Sequence, residues 1–331
     1  MEKKMQRIVE CVPNFSDGRN PDTINQIKEE IECVSNVKLL NVESDWDYNR
    51  TVITFVGTPE GVKDAAFKAI AKAAELINMS KQKGEHPRIG ATDVCPFVPV
   101  SNVTMETCVE LASELGKEVG DRLGIPVYLY AEAARTAERK DLSNIRKGEY
   151  EGLKEKLSCE DWKPDYGPGV FDETVKRTGA TVIGARNFLI AYNVNLETGD
   201  VRIANRIAGI IRESGSKGIP GKLKCVKAMG VELRKHGITQ VSMNLTNFNV
   251  TPIHVAYNAV KEQASLLGIK VTGSEIIGLV PKKALIDAGR FYLNDPPQAS
   301  EEELINGAIS NLGLSQLTKF IPDKKVIEYL I

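Results

Sequence analysis

Apolar positions in the first third of the chain fall into two kinds of segment. Short runs rich in β-branched and aromatic residues indicate strands, and longer amphipathic or alanine-rich stretches that begin at a capping residue before proline indicate helices. The strands are predicted at 7–11, 37–43, 51–57 and 94–100, and the helices run from Asn20 to about Ile31 and from Thr58 to about Leu76. The order β-α-β-β-α-β is that of a ferredoxin-like split βαβ unit, in which helices cover one face of an antiparallel sheet.

The rest of the chain extends this unit and then repeats its plan. A helix at 104–123, a strand at 127–130 and a charged stretch at 135–163 complete the first half. The second half has strands at 188–196, 223–232, 240–245 and 269–271, helices at 201–213 and 252–267, and a further helix from about 280. We therefore expect an α+β chain of two ferredoxin-like halves, residues 1–183 and 184–331, with a cleft or tunnel between them where a ligand binds.

Composition excludes several classes of function. With 331 residues, the chain is long enough for two domains, and its formal net charge of −1 gives no basic surface for nucleic acid or for an anionic membrane. No apolar run approaches the ~20 residues that a membrane helix needs. The N-terminal residues lead into a strand without the apolar run of a signal peptide, so the expected location is the cytoplasm.

The cysteines are expected to be reduced thiols. None forms a Cys-x-x-Cys pair or stands beside a histidine at ligand spacing, so no zinc site is expected. Cys95 follows His86 closely enough for a nucleophilic Cys–His pair, but it lies in an apolar run, where cysteine usually packs as a small hydrophobe. The glycine-rich segment 215–222 lacks the Gly-Lys-Ser/Thr ending of a phosphate loop, so neither a nucleotide nor a metal cofactor is expected.

The loop at 83–90 carries the strongest chemical signal in the sequence. His86 lies there among glycine, proline and charges of both signs, directly before an apolar strand, and histidine titrates near neutral pH without help. The alternative is a solvated surface histidine. We expect His236 to be solvated and His254 to pack at a helix start, which leaves His86 as the candidate acid–base residue.

Three arginines stand at turning points of the chain, and a guanidinium binds a carboxylate through two parallel hydrogen bonds. If they face a common cleft, they suit a substrate with several anionic groups; solvated surface arginines are the alternative. A second polar feature is the pair Asp45 and Asp47, which flanks Trp46 and suits a flat cationic group. The arginines are Arg50, Arg88 and Arg186.

Seven motifs between residues 11 and 186 are long and specific. They read CVPNFS at 11–16, NRT at 49–51, GEHPR at 84–88, DVCPF at 93–97, PVYLY at 126–130, GEYE at 148–151 and GAR at 184–186. Together they resemble the formiminotransferase domain of formiminotransferase-cyclodeaminase. The resemblance continues through GLVP at 278–281 to IEYL at 327–330 and covers essentially the whole chain.

This resemblance implies two ferredoxin-like halves around a folate tunnel, usually in a homodimer. It implies a transferase that moves a formimino group between formimidoylglutamate and tetrahydrofolate, a co-substrate, in histidine breakdown, with a separate cyclodeaminase protein to process the product. The family's catalytic histidine falls on His86. The expected substrate-binding residues are Arg50, Arg88, Arg186, Asp45 and Glu43, the last at a position where the family often has Asp. The expected folate-binding residues are Asp165, Tyr166, Gly167, Pro168, Gly169, Val170 and Phe171.

The residue types fit this chemistry. One histidine can act as general base and then as general acid. Carboxylates can stabilise a cationic amidine, and arginines can bind the glutamate carboxylates. A glutamate formyltransferase, which takes N-formylglutamate to 5-formyltetrahydrofolate on the same scaffold, is the second hypothesis. A folate-binding module without activity is the alternative from another class, and the intact loop around His86 argues against it.

Overall fold

A computed structural model describes residues 7–46, 48–84, 86–233, 236–295 and 297–331. The chain divides into two compact units, Met1–Asn187 and Phe188–Ile331. The α+β class and the two-domain architecture predicted from the sequence are confirmed. The boundary predicted between residues 183 and 184 falls within a strand of the first unit, Thr181–Ala185.

The first unit alternates strands with helices. Its strands are β1 (Ile8–Cys11), β2 (Asn14–Phe15), β3 (Val37–Asp45), β4 (Arg50–Gly57), β5 (Thr92–Ser101), β6 (Val127–Ala131) and β7 (Thr181–Ala185). Its α-helices are α1 (Pro21–Glu32), α2 (Pro59–Leu76), α3 (Met105–Leu123), α4 (Leu142–Arg146), α5 (Leu153–Ser158) and α6 (Glu173–Thr178). Short 3₁₀ turns lie at Ala137–Lys140 and Glu160–Trp162.

Side-chain caps determine where the first two helices begin. The side chain of Asn20 accepts hydrogen bonds from the backbone N–H groups of the first turn of α1, and Thr58 does the same for α2. Pro21 and Pro59 occupy the first helical position, where the missing N–H costs nothing. Both helix starts therefore lie where the sequence predicts them.

One mixed sheet forms the centre of the first unit, in the order β3-β4-(β1, β2)-β5-β7-β6. β1 and β2 share one position between β4 and β5, and all pairs on this side of β5 are antiparallel. β7 then lies between β5 and β6 and runs parallel to both. The sequence pattern did not predict this parallel extension, because an apolar run does not reveal which strand it will pair with.

Apolar groups cover both faces of β5, the strand that follows the His86 loop. On one face, Cys95 and Phe97 join the main core with residues of α1, α2 and α3. On the other face, Val94 joins a smaller cluster that includes Ile145 of α4 and Leu153 of α5. Polar side chains of β5 are therefore buried too, and Asp93 is only 1% exposed.

The second unit has a separate four-stranded sheet. Its strands are β8 (Ile190–Leu196), β9 (Val226–Leu233), β10 (Ile238–Leu245) and β11 (Val271–Ile277), and its helices are α7 (Val201–Ile211), α8 (Ile253–Leu266), α9 (Lys282–Tyr292), α10 (Glu301–Leu312), α11 (Pro322–Lys325) and α12 (Ile327–Leu330). The sheet order is β11-β8-β10-β9, and every pair is antiparallel. The strand expected at 269–271 starts later and runs to Ile277, since polar residues and Gly273 hide its apolar pattern.

Candidate active site

The loop that carries His86 joins α2 to β5 and is anchored at several points. The backbone N–H of Ile89 donates to Oδ1 of Asp93 at 2.9 Å, and the hydroxyl of Ser16 donates to the carbonyl of Gly90 at 2.7 Å. The side-chain amide of Asn49 donates to the carbonyl of Lys83 at 2.9 Å. These bonds fix the loop against β2, β5 and the turn before β4, so the position of His86 is set by the sheet.

Arg50, the first residue of β4, lies directly against His86. Its Nη1 is 2.6 Å from Nε2 of the imidazole. A guanidinium only donates hydrogen bonds, so Nε2 is the acceptor, the ring is neutral and its proton is on Nδ1. The ring of the half-exposed Tyr48 lies 5.9 Å from the ring of His86, centroid to centroid.

The surroundings of His86 favour the neutral ring. Burial first, and then the nearby charges of Arg50 and Arg146, lower the pKa of His86 from 6.5 to about 4, while Asp93 acts in the opposite direction. The near-neutral titration expected from the sequence is therefore wrong for the free protein. The imidazole of His86 is therefore neutral at physiological pH.

Arg146 is a residue of this site that the sequence analysis missed. It ends α4 and forms an ion pair with Oδ2 of Asp93, which is buried. Its Nε is buried without a hydrogen-bond partner among the described residues. The only signal in the sequence was its position within the charged stretch at 135–163, just before the GEYE motif.

Two of the expected carboxylate residues share a sheet face with Arg50. Asp45 of β3 lies directly opposite Arg50 in the antiparallel register, and Glu43 is two residues earlier in the same strand. Opposite residues and residues two apart project from the same face of a sheet. Glu43, Asp45 and Arg50 therefore lie on one face, whereas Asp47 and Glu85 lie outside the described residues.

Arg88, two positions after His86, forms hydrogen bonds with other side chains of the protein. Its buried guanidinium donates to Oε1 of Glu151 at 2.7 Å, to Oε2 of Glu149 at 2.9 Å and to the side-chain oxygen of Gln82 at 2.8 Å. The hydrogen bond to Glu151 is the main reason that the pKa of Arg88 is raised. Arg88 thus fastens the His86 loop to the segment that follows α4.

Arg186 has its own set of contacts at the end of β7. Its Nη1 donates to the carbonyl of Asn187 at 3.0 Å, and its side chain interacts with the hydroxyl of Tyr130. Burial raises the pKa of that tyrosine, and Arg186 opposes the shift. The structure therefore brings Arg50 to His86 but gives Arg186 different neighbours.

The segment 165–171, expected to bind folate, has an anchored part and an open part. Asp165 accepts hydrogen bonds from the backbone of Leu129 and from Arg139, at 2.7 and 2.8 Å. Tyr166 packs its ring against Gly116, and Gly167 has a φ of +78° in close contact with Ile125, where a side chain would not fit. A Cβ at Gly169 would meet open space, Val170 is 64% exposed, and the segment includes Pro168 and Phe171.

The remaining histidines and cysteines lie in other environments. His254 is buried in α8 and stacks on Phe291, with ring centroids 4.5 Å apart, as expected for a packing residue. Sγ of Cys95 lies 3.5 Å from Sγ of Cys11, and both thiols are buried. In the part of the chain that the structure describes, no group of three His, Cys, Asp or Glu could hold a metal ion, and no helix is long and apolar enough to cross a membrane.

Comparisons with known proteins match both units. A family model described as the formiminotransferase domain, N-terminal subdomain, matches residues 8–186, and one described as the formiminotransferase domain matches residues 191–331. The chain is 51% identical to a glutamate formimidoyltransferase of Thermoplasma acidophilum over 288 residues, which are 86% of this chain and 92% of the relative. A protein of the same name from Streptococcus pyogenes is 45% identical over 289 residues, 87% of this chain and 94% of the relative.

A longer relative matches over the whole chain. A formimidoyltransferase-cyclodeaminase of Gallus gallus is 48% identical over 330 residues, which are 99% of this chain. The match covers 60% of the Gallus gallus protein, so this chain spans three fifths of that relative's length.

Proposed function

We propose a function for this chain from one premise: the chain belongs to the formiminotransferase family. The proposed activity is that of a glutamate formimidoyltransferase, which moves the formimidoyl group of N-formimidoyl-L-glutamate to tetrahydrofolate and leaves 5-formimidoyltetrahydrofolate and L-glutamate. Two relatives of this name, matched over 92% and 94% of their lengths, support it. The structural observation that carries it is the neutral His86, whose acceptor nitrogen faces Arg50 at 2.6 Å.

In this proposal, His86 carries one proton between two nitrogen atoms. The lone pair of folate N5 forms a bond to the formimidoyl carbon, the C=N electron pair moves to the terminal nitrogen, and the N5 proton passes to Nε2 of His86. Nε2 then gives this proton to the glutamate nitrogen, whose bond to the carbon breaks as the C=N bond re-forms. General acid–base catalysis of this kind contributes ~10²–10⁴-fold in rate.

The charged groups beside His86 are proposed to bind the two ends of the glutamate substrate. Arg50 would bind a carboxylate, and Glu43 and Asp45 would face the cationic amidine, which their common sheet face supports. Substrate binding by Arg88 and Arg186 stays a prediction. For Arg88 it requires an exchange of partners, because its guanidinium already bonds two glutamates.

Folate binding is proposed for the segment 165–171, and its open part around Gly169 and Val170 supports contact with a ligand. The first subdomain, proposed as residues 1–183, would carry the catalytic loop, and the second would be residues 184–331. The β-α-β-β-α-β order and the antiparallel order β11-β8-β10-β9 support a ferredoxin-like second half. The order β3-β4-(β1, β2)-β5 supports the same plan in the first half.

Other expectations stay predictions of this proposal. They are a cleft or tunnel for folate between the halves, a homodimer, a cytoplasmic location, a role in histidine breakdown and a separate cyclodeaminase partner. Each rests on the sequence or on the family resemblance rather than on a contact among the described residues.

The experiment that tests the function is a donor comparison. Purified protein is incubated with tetrahydrofolate and either N-formimidoyl-L-glutamate or N-formyl-L-glutamate, and the folate products are separated and quantified. The proposal predicts a higher kcat/KM for the formimidoyl donor. A higher value for the formyl donor would assign a glutamate formyltransferase, and saturable folate binding with no turnover of either donor would assign a binding module.

A further inference from the structure

The hydrogen bond from Arg50 occupies the atom of His86 that the proposed chemistry needs. A general base must offer a lone pair to the proton that it removes. The lone pair of Nε2 accepts a hydrogen bond from Arg50, whose Nη1 is 2.6 Å from Nε2. The ring also forms a hydrogen bond with the backbone of Pro87. In the free protein, both ring nitrogens of His86 therefore already form hydrogen bonds.

Arg50 lacks a full set of hydrogen-bond partners among the described residues around His86. The guanidinium is half-buried and shares its surroundings with Arg146, and burial followed by the charge of Arg146 lowers the pKa of Arg50. Among the described residues, no carboxylate forms an ion pair with Arg50, and Asp93 pairs with Arg146 instead. A partly desolvated cation bonded to a neutral imidazole is a site that an anion would occupy more favourably.

On the basis of the proposed function, we propose that a carboxylate of the glutamate substrate takes Arg50 away from His86 and so frees Nε2 to act as the base. A bidentate, charge-assisted hydrogen bond between guanidinium and carboxylate is stronger than a single hydrogen bond to a neutral ring. The exchange of partners is therefore favourable. Arg50 then has two successive roles: it caps the base in the free protein and binds the substrate in the complex.

This exchange makes the base competent only when a substrate is bound. The carboxylate neutralises the nearest positive charge acting on His86, and a cation that disfavoured the protonated ring is removed. The other groups that face the ring stay in place: Tyr48 from the turn before β4, Arg146 from α4 and Asp93 from β5. The substrate therefore both releases Nε2 and raises the basicity of His86.

The test is a ¹⁵N NMR titration of the full chain with ¹⁵N-labelled histidine, in the absence and presence of L-glutamate. His86→Gln assigns the signals, since His236 and His254 are the other histidines. We expect the free protein to show the Nδ1–H tautomer with a pKa well below 6.5, and saturating glutamate to raise the pKa of His86 by about one pH unit or more. Sodium chloride at equal ionic strength should produce no such change.

Two variants separate the role of Arg50 from a general effect of charge. In Arg50→Gln, the pKa of His86 should start higher and should no longer respond to glutamate. Arg122→Gln removes an exposed arginine whose partner is Glu118, and it should respond as the wild type does. A wild-type His86 with an Nε2–H tautomer, or a tautomer and pKa that saturating glutamate leaves unchanged, would overturn the inference. The donor comparison is independent of this result, because turnover can occur without the exchange.

Discussion

The buried carboxylate of Asp93 forms an ion pair with the partly buried Arg146 beside the His86 loop. One carboxylate oxygen of Asp93 bonds Arg146, and the other accepts the backbone N–H of Ile89 at 2.9 Å. A single side chain thus connects β5, the end of α4 and the loop that carries the candidate base. The pair also balances one of the two positive charges near His86, which leaves Arg50 as the charge available to a ligand.

Asp93→Asn is expected to destabilise the protein, because it leaves the partly buried Arg146 without its charge partner. Loss of one partner of a fully buried ion pair costs about 3–5 kcal/mol, and the partial exposure of Arg146 makes this an upper limit here. Urea unfolding of Asp93→Asn, Arg146→Met and the double variant measures the effect. The double variant should lose less stability than the sum of the single ones, whereas additive losses would mean that the two residues do not depend on each other.

The pH dependence of stability is expected to show the unusual titration of His86. Its pKa in the folded protein is about 4, against an ordinary 6.5 in the unfolded chain, so the folded state binds fewer protons between these values. The free energy of unfolding should therefore rise with pH across this window and be lost as pH falls through it. In His86→Gln the slope should be smaller. Equal slopes for wild type and His86→Gln would contradict the assigned environment.

Arg186→Ala is expected to raise KM for the glutamate-side substrate more than it changes kcat, because a carboxylate clamp contributes binding that is the same in ground and transition states. The expected scale is ~10- to 100-fold. Steady-state kinetics with each substrate varied in turn measures the two KM values separately. Unchanged KM values would leave Arg186 as a partner of Tyr130 and Asn187 only.

Arg88→Ala tests two roles at once. As a substrate clamp, Arg88 should affect KM for the glutamate-side substrate as Arg186 does. As a buried partner of Glu149 and Glu151, it should also be needed for stability, since its loss leaves two facing carboxylates. We expect a lower free energy of unfolding together with a raised KM. A stable variant with a normal KM would exclude both roles.

The sequence predicts the components of the site better than their arrangement. His86 and Arg50 were each selected by their loop context, but 36 residues separate them, and only the pairing of β4 beside the anchored loop brings them within 2.6 Å. Asp93 and Arg146 are 53 residues apart, and neither position carries a local pattern that marks the pair. The pKa of His86 is lowered first by burial and then by the charges of Arg50 and Arg146. Both causes depend on segments far away in the sequence, so this shift could not be predicted.

The fold shows the same division between local and long-range information. Helix starts at Pro21 and Pro59 follow from local capping and were predicted. The place of β7 between β5 and β6 depends on contacts with strands far away in the sequence, such as Val94 with Val182 and Val127 with Thr181. Local periodicity carries no information about such pairings.

The most direct test of the account is the turnover of His86→Ala with N-formimidoyl-L-glutamate and tetrahydrofolate. The variant should keep its circular dichroism spectrum and its affinity for tetrahydrofolate, while kcat falls by about 10²–10⁴-fold, the usual contribution of a general acid–base group. His236→Ala, an exposed histidine of the second unit, is the matched control and should retain wild-type kcat. A folded His86→Ala protein with near-wild-type kcat would remove His86 from the mechanism and contradict the account.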